Sequence, residues 1–149
     1  MAAELAGAEK ARVELWRDFG DVFGILWQMS NDQEDILSGR NEDLLNGTVT
    51  YLLACALDTS GSRSTARILR LQADARTSRD ARAELIDTLL APVVLGRCED
   101  DINEFRGEAH RIPDELGGDE TYLSVIRNLV DESSRMLLRA DLAREVTVG

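Results

Sequence analysis

Apolar residues recur at spacings of three and four along nearly the whole chain, and no stretch alternates with period two for long enough to make a strand. Residues 2–37 read as one long helix, broken, if anywhere, near Gly7, because alanine, leucine and glutamate favour it and no proline interrupts it. Trp16, Phe19, Phe23 and Trp27 repeat at helical spacing there and are expected to face inward. Residues 38–43 are a polar loop in which Gly39 suits a helix end. A second helix is expected over 45–57, with Val49, Leu52, Leu53, Ala56 and Leu57 as its buried stripe, and a third over 62–75. Ser78 is a suitable N-cap for a fourth helix through Leu90, and Pro92 suits the first turn of a fifth. Leu95, Cys98, Ile102, Phe105, Ala109 and Ile112 then form a heptad-like seam. Pro113 and Gly117-Gly118 mark a turn, and Asp119 caps a last helix over 120–139 with Tyr122, Ile126, Leu129, Val130, Ser133 and Leu137 inside. The tail from Ala140 is expected to fray. The reading is a single all-α domain over 1–149, a bundle of five to six helices.

One face of the first helix carries candidate chemistry. Gly20, Gly24, Gln28 and Asp32 recur every four residues, and Asp35 and Asn31 join them at the same end. Magnesium takes oxygen ligands, and it typically combines one or two protein carboxylates with substrate phosphates. Asp32 and Asp35, with Asn31 as a weaker ligand, have that character. The glycines leave room for a substrate or a neighbouring helix to approach. The competing reading is a solvated helix end in an acidic chain.

The order F-G-x-x-x-G-x-x-x-Q-x-x-N-D-x-x-D, a polar loop, then Asp43-Leu44-Leu45-Asn46-Gly47-Thr48-Val49-Thr50 and an apolar helix ending in Ala56-Leu57, resembles the trans-isoprenyl diphosphate synthase (polyprenyl synthetase) family. That family's second aspartate-rich motif reads G-x-x-x-Q-x-x-D-D-x-x-D, followed by D-L-x-x-G-K-x-T-L-P. The upstream Ala3-Glu4-Leu5-Ala6-Gly7-Ala8 resembles the segment before it, so the likeness covers residues 3–57. Asn31 replaces the first aspartate of the motif, Thr48 the lysine that holds diphosphate, and Thr50-Tyr51-Leu52 the T-L-P. The family's first aspartate-rich motif would precede this chain, which therefore resembles the C-terminal half of an isoprenoid-synthase bundle.

The resemblance implies Mg²⁺-dependent prenyl transfer on allylic or isopentenyl diphosphate. It makes Asp32, Asp35 and Asn31 metal ligands, and Gln28, Arg40 and Asp43 diphosphate contacts. Phe23, Gly24 and Trp27 would border the prenyl cavity, where exclusion of water protects a carbocation. A chain with one acidic cluster is expected to need a partner carrying the other, joined as a homo- or hetero-oligomer through apolar helix faces. Two alternatives stand beside this reading. One is a catalytically degenerate regulatory or structural subunit of a synthase or terpene cyclase complex; the other is an unrelated acidic helical interaction module.

Composition narrows the partners. A net charge of −11 over 149 residues disfavours nucleic acid, whose phosphates need a basic surface. No run of about 18 uncharged apolar residues is present, so no membrane span is expected. The N-terminus lacks the basic region of a signal peptide, and a cytoplasmic location is expected. Lys10 is the only lysine, which leaves arginine as the phosphate-binding cation. Cys55 and Cys98 fall within apolar helical patterns and are expected to be buried thiols. His110 has no catalytic neighbours in sequence and reads as a surface or interface residue. The acidic run Glu99-Asp100-Asp101 through Glu104 reads as a solvated face.

Overall fold

A computed structural model of the chain describes residues 2–142, with side chains from Glu4 onward. It is all-α: seven helices and no strand occur among the described residues, and no helix is long and apolar enough to cross a membrane. In chain order they are α1 (Ala2–Leu37), α2 (Glu42–Asn46), α3 (Tyr51–Asp58), α4 (Ser62–Asp74), α5 (Arg79–Leu89), α6 (Pro92–Leu116) and α7 (Glu120–Ser133). They fall into two compact units, one built from residues through Trp27 with Ile102–Arg135, the other from Gln28–Asp101 with the residues from Met136 onward.

In the second unit α3, α4 and α5 pack on one another, α4 against α5 most extensively. Its core is aliphatic: Met29, Leu52, Leu53, Ala56, Ile68, Leu85, Ile86, Leu89, Leu90 and Val94 are all buried. Burial of such side chains, at about 1.5–3 kcal/mol each, is the main favourable contribution to the fold. Local signals act where expected. The Ser78 hydroxyl accepts from Ala81 N at 3.2 Å and starts α5. Pro92 opens α6, where its missing N–H costs nothing.

The helix expected over 45–57 is two helices. Gly47, at φ 69°, caps α2 in the left-handed region that glycine enters without a Cβ clash. The chain then runs extended to Thr50, whose hydroxyl accepts from Leu53 N and begins α3. Val49 lies in that connection and is 71% exposed, off the expected stripe. This split makes the helix count seven.

In the first unit the seam of α6 is buried at Ile102, Ala109 and Ile112. Pro113 does not end α6. It is buried within the helix, its carbonyl accepts from Gly117 N at 3.1 Å, and the break comes at Gly117 and Gly118, at φ 62° and 116°. Asp119 caps α7 as expected, accepting from Thr121 N at 2.9 Å. The buried face of α7 is rotated from the expected one: Leu123, Val130 and Ser133 are inside, while Tyr122 and Leu129 are exposed. The helix also ends at Ser133, not 139. Arg106 Nε donates to Ser134 Oγ at 2.7 Å and Arg106 Nη2 donates to Ser134 O, while Ser134 Oγ donates to Val130 O at 2.6 Å. These bonds occupy polar groups that a further helical turn would need. Of the expected frayed tail, residues beyond 142 lie outside the described ones.

Helix α1 runs unbroken through Gly7. Its aromatic residues do not form a buried stripe. Trp16 and Trp27 are 39% and 55% exposed. The four rings contact one another along the helix instead: Trp16–Phe19 edge-on at 5.9 Å, Phe19–Phe23 stacked at 5.7 Å and Phe23–Trp27 tilted at 6.2 Å.

Gly47→Ala tests the break between α2 and α3. A Cβ there would sit in left-handed backbone and 3.2 Å from Arg76 Cδ. Denaturant unfolding is expected to show a loss of about 1–2 kcal/mol. An unchanged midpoint would refute it.

Candidate functional site

Gln28, Asp32 and Asp35 come together where α1 ends and the chain turns back toward α3. Asp32 and Asp35 are 4% and 5% exposed, so neither lies in a solvated helix end. Asp35 Oδ1 accepts from Glu42 N and Asp35 Oδ2 from Asp43 N, both at 3.1 Å. Those N–H groups open α2, whose own N-cap, Asn41, makes no side-chain capping bond. Asp35 therefore caps α2 from another helix. Asp32 does the same for α3: its Oδ2 accepts from Tyr51 N at 3.0 Å, and its Oδ1 accepts from Gln28 Nε2 at 2.9 Å. The first N–H groups of a helix lack intrahelical acceptors, and a carboxylate satisfies them with favourable charge against the helix dipole.

The loop between these caps is itself fixed. Gly39 and Asn41 have φ of 72° and 51°. Asparagine is among the few residues other than glycine that adopt the left-handed region readily. Asn41 N donates to Asp35 O at 3.3 Å, and Gln72 Nε2 of α4 donates to Gly47 O at 3.3 Å.

The other proposed ligands do not share the burial of this pair. Asn31 is exposed. Arg40 is exposed, and its Nε donates to Ser38 Oγ at 3.1 Å. Thr48 is exposed as well. Asp43 is half-buried, and its carboxyl is held above the ordinary carboxylate value by burial first, then by the charges of Asp35, Asp32 and Glu42. Among the described residues no group of three or more His, Cys, Asp and Glu side chains is arranged to hold a metal ion. A magnesium site built on this face would have to share carboxylate oxygens that each already accept one hydrogen bond.

The glycines do not create a groove by close approach, since a Cβ at Gly20 or Gly24 would meet nothing within 4 Å. Phe23 is half-buried, and Gly24 and Trp27 are exposed. A cavity of about 290 Å³ does occur in the second unit, lined by Tyr51, Ala54, Cys55, Asp58, Arg97 and Asp101. Asp101 thus departs from the solvated face expected of the acidic run. Its side chain is 18% exposed and accepts from Arg97 Nε at 3.3 Å, while Glu99, Asp100 and Glu104 are exposed. The signal that marks it is spacing: Asp101 lies one turn beyond Arg97 and next to the seam residue Ile102. His110, on α6, is half-buried and pairs through Nε2 with Asp131 Oδ1 at 2.7 Å.

Two sets of variants probe the capping pair. Asp35→Ala strands two helix-opening N–H groups and is expected to cost about 2–3 kcal/mol in urea unfolding, with Asp35→Asn milder because one acceptor oxygen remains. Equal stability of Asp35→Ala and the parent would overturn the capping role. For Asp43 the sign is opposite. A carboxyl whose folded pKa is raised binds its proton more tightly in the folded state, so its ionisation costs stability as pH rises from its ordinary value, 3.8, through the raised one. Asp43→Asn is therefore expected to raise the Tm at pH 7, with the gain shrinking as pH falls toward 3.8. A Tm at or below the parent's at pH 7 would contradict it. Comparison with family models, curated proteins and solved structures gives no match for this chain.

Proposed function

We propose that this chain is a non-catalytic helical subunit, similar in its motif region to isoprenyl diphosphate synthases, that keeps the aspartate pair of the motif for structure and works by association. The observation that carries this reading is the engagement of all four oxygens of Asp32 and Asp35: one accepts from Gln28, and the other three accept from the N-terminal amides of α2 and α3. Thr48, in place of a lysine, and Asn31, in place of an aspartate, fit the same reading. The surface offered for association is the apolar side of α1, where Leu5, Trp16 and Trp27 recur about every three turns and are exposed.

A second reading keeps the metal. In it Asp32, Asp35 and Asn31 hold Mg²⁺, Gln28, Arg40 and Asp43 approach an allylic or isopentenyl diphosphate, and the chain is one component of a prenyltransferase. The observation in its favour is that the Asp43 carboxyl is raised, by burial first and then by the charges of Asp35, Asp32 and Glu42, and a bound cation would relieve that charge.

Thermal unfolding in MgCl₂ with inorganic pyrophosphate separates the two, because a ligand that binds only the folded state raises Tm. The structural reading expects no rise beyond that of either salt alone. It also expects Asp32→Ala to lower the Tm equally with and without the salts. A rise that needs both components and disappears in Asp32→Ala would overturn it in favour of the metal-dependent reading.

A further inference from the structure

Helix α1 has a side that no other part of the described chain covers. Its covered side, up to Trp27, is Leu15, Phe19, Val22 and Leu26, which are half-buried or buried. On the other side stand Leu5, Val13, Trp16, Gly20, Gly24 and Trp27, in steps of eight, three, four, four and three that keep them on one face. Leu5, Val13, Trp16 and Trp27 are 62%, 57%, 39% and 55% exposed. Upstream of Leu15 the cover ends altogether, since every residue from Glu4 to Glu14 is exposed. Helices in proteins owe most of their stability to the packing of one face, and a glycine inside a helix weakens it. A Cβ at Gly20 or Gly24 would meet nothing within 4 Å, so nothing inside the chain requires a bare backbone there. A second helix laid along the face does.

The charges that border this face select the helix that covers it. Lys10, Glu14, Arg17 and Asp21 follow in steps of four, three and four along one edge, alternating in sign, and all four are exposed. Lys10 and Glu14 make a pair at 4.0 Å, with 80% and 54% of their side chains open to solvent. Reversed, the series runs acid, base, acid, base. A second α1 laid antiparallel, crossing between Leu15 and Trp16, therefore sets Lys10 of each copy against Asp21 of the other, and Glu14 against Arg17. That makes four attractive pairs by symmetry and no like-charge pair among them. A parallel copy in register would set each charge against its own kind, and such edge charges decide orientation when helices pair. The antiparallel overlap runs from Glu4 to Trp27, about 36 Å.

We infer that two copies of this chain pair through α1, antiparallel about a two-fold axis between Leu15 and Trp16. The interface is isologous, the same face serving on both copies. Trp16 from each copy flanks the axis, and Trp27 of each lies over the segment near Leu5 of the other. Burial of these aromatic and aliphatic side chains supplies the affinity, and the alternating charges fix register and direction. This inference rests on the reading of association through α1 and names its partner, a second copy.

The test is sedimentation equilibrium of the full chain and of two variants, Arg17→Glu and Glu14→Arg, each alone and then mixed. The parent is expected to sediment as a dimer. Each variant alone brings like charges together at both symmetry-related sites, and its dimer Kd is expected to rise about tenfold. Mixing the two variants restores opposite charges at both sites, so a heterodimer as tight as the parent dimer is expected. A monomeric parent, variants that dimerise as tightly as the parent, or a mixture no tighter than either variant alone would each overturn the pairing. None of these outcomes bears on the aspartate pair, which the magnesium and pyrophosphate measurement tests separately, and a monomeric parent would leave α1 free for a different partner.

Discussion

The turn from the end of α1 back to α3 depends on two buried carboxylates accepting hydrogen bonds from backbone amides. Helix starts leave N–H groups without partners, and burying them unpaired costs about 1–3 kcal/mol each. Helices α2 and α3 are only five and eight residues long, so neither is stable in isolation. Asp35 and Asp32 supply acceptors from α1, which tie both short helices to the long one. The carboxylates in turn escape the cost of burial because each oxygen has a donor. Gln28 completes the arrangement by donating its side-chain amide to Asp32.

This use of the motif changes the meaning of its spacing. An acidic residue at each of two positions one turn apart can grip a cation, and it can also reach two successive helix starts on a returning chain. Both uses need oxygen atoms presented from one helix face, so the sequence pattern alone does not separate them. The donors do. Here they are main-chain N–H groups and one neutral side-chain amide, all from within the chain.

Much of the fold was legible in the residue pattern, and the failures have physical causes. Apolar spacing located the helices, and Ser78, Pro92 and Asp119 marked boundaries because their effect is local. Gly47 was missed as a break because the apolar residues on either side of it still step like a single helix. The end of α7 was missed because the groups that stop it come from Arg106, on another helix. Trp16 and Trp27 misled because aromatic periodicity shows that side chains share a face without saying that anything covers it. At the candidate site, the clustering of Gln28, Asp32 and Asp35 was readable, whereas their partners at Tyr51, Glu42 and Asp43 are main-chain groups that carry no residue signature. Asp101 was hidden inside a run of acids whose other members do face solvent.

The side chain of Gln33, 2% exposed, accepts at Oε1 from Leu137 N at 2.7 Å and from Leu138 N at 3.3 Å. Leu137 and Leu138 lie 104 and 105 positions beyond Gln33 along the chain. Joining Gln33 to them closes a loop 104 positions long, and the entropy of that closure must be met before the bond returns anything. Contacts between residues so far apart in sequence form more slowly than those inside helices. During synthesis this clasp has to wait until the ribosome has released the segment around Leu137.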